Sequence, residues 1–141
     1  THAAISPDGQ WLVYASDYKS KNGDLNLFLS KKQSNGEWGE GKMMIELNTD
    51  QNEDSPFFDE DGTLYFCSKG FNSIGGFDIF MTTFNKNRNA YESPTNLGPP
   101  INSVANDIFF TKKGSVAYFT SNRAGGYGRE DIYRAYLLNQ V

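Results

Sequence analysis

Gly9, Gly62 and Gly114 stand 53 and 52 residues apart, and three further columns keep the same step. Ser16, Ser68 and Ser121 form the second, Gly23, Gly75 and Gly128 the third, and Asn26, Asp78 and Asp131 the fourth, each with steps of 52 and 53. A period near 50 filled with short apolar runs marks stacked β units such as propeller blades, whereas helical arrays carry their apolar residues at a spacing of 3.6. The chain is therefore expected to be a serial array of small sheets.

Each repeat reads as strands separated by turns. The first strand is "AAIS", matched by "PFFD" and "IFFT"; the second is "WLVYAS", matched by "TLYFCS" and "VAYFTS"; the third is "NLFLS", matched by "DIFMT" and "DIYRA". Aromatic and β-branched residues dominate these runs, and Asp8-Gly9 or Asp61-Gly62 supplies the turn between the first two strands. A fourth strand is expected over 43–47 and over 95–97. The expected architecture is all-β, a β-propeller segment of four-stranded blades with about three present. The first blade covers 1–50, the second 51–103 and an incomplete third 104–141, where "YLLNQV" follows the third strand. Closed propellers hold about 4–8 blades, so three are expected to belong to a longer propeller or to chains that complete one another.

"SPDGQWLVYASD", "DEDGTLYFCSK" with "GGFDIF", and "YFTSNRAGGYGREDIY" resemble the WD-like Pro-Asp-Gly propeller repeats of TolB-like domains. They are closer still to the version in OmpA-family outer-membrane lipoproteins, including the PorE-like components of the type IX secretion system. The linker "NLGPPINSVANDIFF" strengthens the match, and the resemblance covers nearly the whole chain. Asn26 departs from the Asp usual in the family, and Thr111-Lys112-Lys113-Gly114 replaces the Pro-Asp-Gly corner. The resemblance implies a periplasmic, outer-membrane-associated domain whose partners are envelope proteins, secretion-system subunits among them. Peptidoglycan would be reached only through an OmpA-like domain that these residues do not contain.

Composition and single residues narrow the function classes. A net charge of −4 argues against a nucleic-acid partner held by a basic surface, while leaving room for a local basic patch. No apolar run approaches the roughly 20 residues of a spanning helix. Thr1 opens without a charged n-region or h-region, so the start is expected to be cut from a longer chain. Cys67 is the one cysteine and is expected to be a buried, inert thiol. His2 is the one histidine, which makes a Ser-His-Asp triad or a histidine-rich metal site a poor reading. No cofactor and no metal are expected. The acidic run "NTDQNEDS", 48–55, lacks the spacing of an EF-hand loop and reads as a solvated linker.

Two groups of residues remain as site candidates. Asp54 and Asp107 precede innermost strands and are expected near the channel mouth, where a paired acid and base would suit glycoside hydrolysis and polar caps of buried strands are the plainer reading. The loops "DYKSKNG", "KGFNSIGG" and "NRAGGYG" join the second and third strands and project from one side of a repeat array. They offer Tyr18, Lys69, Phe71, Arg123, Tyr127 and Arg129, with Lys19 and Lys21 beside them, as a protein-binding surface. Ser16, Ser68 and Ser121 are expected to bond Asn26, Asp78 and Asp131 across the necks of these loops. The expected function is a non-catalytic interaction scaffold. The alternative is a propeller hydrolase or the propeller of a prolyl-peptidase-like enzyme.

Overall fold

The computed structural model describes residues 2–138; residue 1 and residues 139–141, the outer ends of the expected first and third units, lie outside the described residues. Apart from one 3-10 turn over Ile45–Leu47, the regular structure of the described residues is β. The first sheet holds β1 (Ala3–Ile5), β2 (Trp11–Ser16), β3 (Asn26–Lys31) and β4 (Lys42–Met43) in chain order. The second holds β5 (Glu53–Phe58), β6 (Leu64–Ser68), β7 (Asp78–Thr82) and β10 (Thr95–Asn96), with a separate hairpin of β8 (Phe84–Asn85) and β9 (Ala90–Tyr91) between β7 and β10. The third has three strands, β11 (Asp107–Lys113), β12 (Val116–Ser121) and β13 (Asp131–Tyr136). Neighbouring strands are antiparallel throughout.

The hairpin glycines sit where the sequence placed them. Gly9, Gly62 and Gly114 have φ of +73°, +88° and +59°, the left-handed region that glycine enters without a Cβ clash. The fourth strand is shorter than the expected 43–47. After Met43 the chain leaves the ladder with a last bond from Met44 N–H to the Leu27 carbonyl (3.0 Å) and winds into the 3-10 turn, because the Asn48 side chain takes the next position on β3. The first strands of the second and third sheets, β5 and β11, each carry a bulge, with Ser55 and Phe109 at φ +52° and +57°.

Period-2 alternation sorts the side chains between two cores. Val13, Ala15 and Leu27 of the first sheet pack with Leu64, Phe66 and Phe80 of the second, and Met44 and Leu47 close this cluster. On the opposite face of the second sheet, Tyr65 and Ile79 pack with Phe110, Ala117 and Phe119 of the third. The middle sheet is thus buried on both faces, which is why every residue of β6 is buried. Each fully buried large apolar side chain contributes about 1.5–3 kcal/mol.

One aromatic pair recurs in all three sheets. Tyr14 faces Phe28, Phe66 faces Phe80 and Phe119 faces Tyr133 as direct cross-strand partners, with ring centroids 5.6, 5.9 and 5.8 Å apart and nearly parallel planes. Stacking of this kind ties the second strand to the third and sets their register.

Candidate functional site

The three loops after β2, β6 and β12 each send one side chain back over the stacked aromatic pair of their own sheet. Tyr18 meets Phe28 edge-on at 6.5 Å, Phe71 lies 6.5 Å from Phe66 and 5.5 Å from Phe80, and the Arg123 guanidinium stands 5.2 Å from Phe119 and 5.0 Å from Tyr133. Tyr18 nevertheless stays 62% exposed and Phe71 43%. Lys69 is exposed with its ammonium 4.9 Å from the Phe77 ring. Tyr127 is fully in solvent and Arg129 is exposed on the third loop.

Arg123 is the member of the candidate surface that is occupied internally. Its guanidinium donates to Asp107 Oδ1 (2.9 Å), to the Pro100 carbonyl (2.8 Å), to the Ile101 carbonyl and to Ser121 Oγ (3.0 Å). Two aromatic faces add a cation–π contribution. Its role is to tie the third sheet to the linker before it, and the exposed candidates are Tyr18, Lys69, Tyr127 and Arg129, with the outer part of Phe71.

The loop necks close differently from the expected serine–acid bond. Ser16, Ser68 and Ser121 do stand opposite Asn26, Asp78 and Asp131 in register. Their hydroxyls accept instead from the main chain two residues on, at Tyr18, Gly70 and Arg123 (3.1, 2.9 and 3.2 Å). Asp78 accepts from Ile74 N–H (2.8 Å), and Asp131 from Tyr127 and Gly128 N–H (3.0 and 3.2 Å). Each side chain therefore fixes its own half of the loop, as short polar groups do when backbone donors are nearest.

Asp54 and Asp107 do not occupy equivalent places. Register pairs Glu53 with Ser68 and Asp107 with Ser121, so Glu53 is the counterpart of Asp107 and Asp54 is displaced by one residue. Asp107 is fully buried, bonded to Ser103 N–H (2.7 Å) and sealed by Arg123. Asp54 reaches outward to His2 Nδ1 at 3.1 Å, and the His2 ring meets Phe109 edge-on at 4.8 Å. His2 and the first strands of the three sheets, β1, β5 and β11, border an open cavity of about 410 Å³. Its lining is mostly apolar, with Phe57 and Phe109 among its walls, and Asp107 is not part of it.

The linkers before β5 and β11 carry a code that the 52–53 step conceals. Leu47-Asn48-Thr49-Asp50-Gln51-Asn52-Glu53 matches Ile101-Asn102-Ser103-Val104-Ala105-Asn106-Asp107 at a step of 54. Asn48 accepts from Leu27 N–H (2.7 Å) and donates to the Leu27 carbonyl (2.9 Å); Asn102 does the same to Ile79 (2.7 and 2.8 Å). Asn52 accepts from Leu25 N–H and Asn106 from Phe77 N–H (2.7 and 2.9 Å). The run read as a solvated linker is thus a set of clips holding the edge of the preceding sheet. Gly76 lies so close to Asn106 that a Cβ there would meet its Oδ1.

Glu53 is fully buried and its Oε1 accepts from Thr49 N–H, Thr49 Oγ1 and Ser68 Oγ (3.1, 2.5 and 2.9 Å), while Oε2 has no partner among the described residues. In the third sheet Arg123 covers the matching carboxylate; in the second, Gly70 stands at Arg123's position in the repeat. Burial raises the Glu53 carboxyl above its usual 4.5, against the pull of the Thr49 and Ser68 hydrogen bonds. A group whose folded value is raised gives stability that is full below the unfolded value and is lost as pH rises through the folded one. Glu53→Gln, which keeps the Oε1 acceptor, is expected to raise the melting temperature at pH 7 and to flatten its decline above pH 4.5. Melting curves from pH 4 to 8 that run parallel for both proteins would assign the pH dependence elsewhere.

Cys67 is buried as expected; desolvation pushes its thiol up to about 12 and its Sγ donates to the Asp54 carbonyl at 3.2 Å. Among the described residues no group of three or more His, Cys, Asp or Glu side chains is placed to hold a metal, and no helix is long and apolar enough to cross a membrane. In comparisons with known proteins, the chain matches no family model, no curated protein and no solved structure.

Proposed function

We propose that this chain is a run of β-propeller blades acting as a non-catalytic protein-interaction scaffold, in the periplasm and associated with the outer membrane, as the repeat resemblance implies. The observation that carries the reading is the exposed loop side of the array: Tyr18, Phe71 and Tyr127 are 62%, 43% and 105% exposed, with Lys69 and Arg129 beside them in sequence. Aromatic and arginine side chains on loops anchored by a rigid sheet have the make-up of energetic anchors in protein interfaces. The bonds within each loop neck, and the groups laid over the stacked pairs, hold these loops in one conformation and lower the ordering cost of association. A hydrolase reading draws no support from the carboxylates, because Asp107 is sealed by Arg123 and Asp54 is paired with His2. The partners proposed are envelope proteins, secretion-system subunits among them.

Capture from detergent-solubilised envelopes, with and without muramidase digestion, tests the reading. The wild-type chain is expected to retain specific envelope proteins after digestion, and a Tyr127→Ala/Arg129→Ala chain to retain them at least about tenfold less, as loss of one anchor worth about 2 kcal/mol predicts. Its melting temperature is expected to be unchanged, since both side chains are exposed. Equal capture by the variant, or recovery of cell-wall fragments alone, would overturn the assignment of this surface.

A further inference from the structure

Among the described residues, the aliphatic face that each sheet turns toward its successor is covered twice and left open once. Leu27 and Ile79 occupy one column of the repeat and are both 0% exposed, yet Ile132, the next in that column, is 77% exposed. Val13, Tyr65 and Tyr118 form a second such column, at 0%, 7% and 46%. The main chain repeats the pattern. Ala15 pairs with Leu27, Cys67 with Ile79 and Thr120 with Ile132, so the same register turns the N–H and C=O of Ile132 away from β12.

In the first two sheets those outward groups are met by one continuous segment. Residues 95–107 serve β7: Thr95 and Asn96 pair with Met81 and Phe80, and Leu97 N–H donates to the Ile79 carbonyl (3.1 Å). Asn102 then bonds both groups of Ile79, Asn106 accepts from Phe77 N–H, and Asp107 N–H donates to the Phe77 carbonyl (2.7 Å). Residues 42–53 serve β3 through the same set. The matching positions on the third sheet are Glu130, Ile132, Tyr133 and Arg134.

We propose that β13 is an acceptor edge for the linker of a further repeat of this kind, a turn-rich segment reading Leu/Ile-Asn-Thr/Ser-x-x-Asn-Glu/Asp. Its first asparagine bonds both main-chain groups of Ile132, its second accepts from Glu130 N–H, and the repeat behind it covers Ile132 and Tyr118. A carboxamide is suited to this because it presents a donor and an acceptor side by side, matching a backbone N–H and C=O together. Strand addition of this type draws affinity from main-chain bonds and specificity from the side-chain positions. A second copy of this chain is not the occupant, since both of its linkers are already bound to its own β3 and β7. This surface is separate from the loop side described above.

The test uses the whole chain, labelled with nitrogen-15, and a synthetic peptide of residues 95–107, TNLGPPINSVAND. Saturable amide shifts are expected at Glu130, Ile132 and Arg134, with affinity at least tenfold weaker for the peptide carrying Asn102→Leu. Ile132→Pro in the protein is expected to abolish the response, because it deletes the outward N–H while leaving the bonds to β12 in place, a position where an edge strand tolerates proline. If that variant fails to fold, the Asn102→Leu peptide on the wild-type chain decides alone. No shift up to millimolar peptide, equal binding of the leucine peptide, or shifts at Ile79 from displacement of the resident linker would each overturn the proposal. So would sedimentation showing a dimer in which the Ile132 amide is already protected.

Discussion

An Arg123→Ala chain is expected to be about 3–5 kcal/mol less stable than the parent, the cost of leaving a buried carboxylate without its cation. Asp107 is fully buried, and Arg123, with 22% of its side chain exposed, is its one cationic partner among the described residues. The loss is larger than for an exposed ion pair, because water cannot re-solvate Asp107 and because two carbonyls, Pro100 and Ile101, lose a donor at the same time. The Phe119–Tyr133 pair is also uncovered. Arg123→Lys is expected to recover a minority of the loss, since a single ammonium cannot reach Asp107, both carbonyls and Ser121 as the planar fork does. Urea unfolding at neutral pH measures both. Combining Arg123→Ala with Asp107→Asn isolates the charge term, and the double variant is expected to be more stable than the sum of the two single losses implies. A loss below about 1 kcal/mol for Arg123→Ala would place the residue among ordinary surface ion pairs and return it to the binding surface.

The same arginine shows how far the sequence could be read. Strand positions were legible because apolar alternation and the glycine corners leave a mark on every repeat, and the columns through Gly9, Ser16 and Asn26 correspond to equivalent places in the three sheets. What a side chain does within a column was not legible. Tyr18, Gly70 and Arg123 share one position, and only the fold reveals that the third is drawn inward by a carboxylate 16 residues upstream. The linker code escaped for a different reason. From Asn26 to Asn48 the chain takes 22 residues and from Asp78 to Asn102 it takes 24, since the second unit adds one residue between its third and fourth strands, where the β8–β9 hairpin stands, and one between the fourth strand and the asparagine. That difference moves the linkers to a step of 54, out of phase with the other columns. Asp54 and Asp107 fall 53 apart and were matched by their number, while the true counterpart, Glu53, lay one residue away.

Asn102→Ala is the second substitution with a large expected effect, about 2–4 kcal/mol, because it strands the buried Ile79 N–H and takes one of two donors from the Ile79 carbonyl, at about 1–3 kcal/mol for each group affected. Asn102 is 1% exposed and meets both Ile79 N–H and the Ile79 carbonyl; Leu97 N–H also reaches that carbonyl, which keeps the figure at the lower part of the combined range. Asn102→Asp is expected to cost at least as much at neutral pH. A carboxylate still accepts from Ile79 N–H, but at a buried position it faces the Ile79 carbonyl and Asn96 Oδ1 with no proton to donate. Native-state hydrogen exchange distinguishes this local failure from a general loss of stability: the Ile79 amide should exchange faster than its neighbours on β7 in the alanine variant, while amides on β2 and β3 follow the global change alone. Asn48 makes the same bonds to Leu27 and is only half-buried, so Asn48→Ala should cost less, and the two losses should add, since each asparagine clips a different sheet. Uniform acceleration across all three sheets would instead mean that the clips hold the array as one cooperative unit, with no separable edge for a linker to add to.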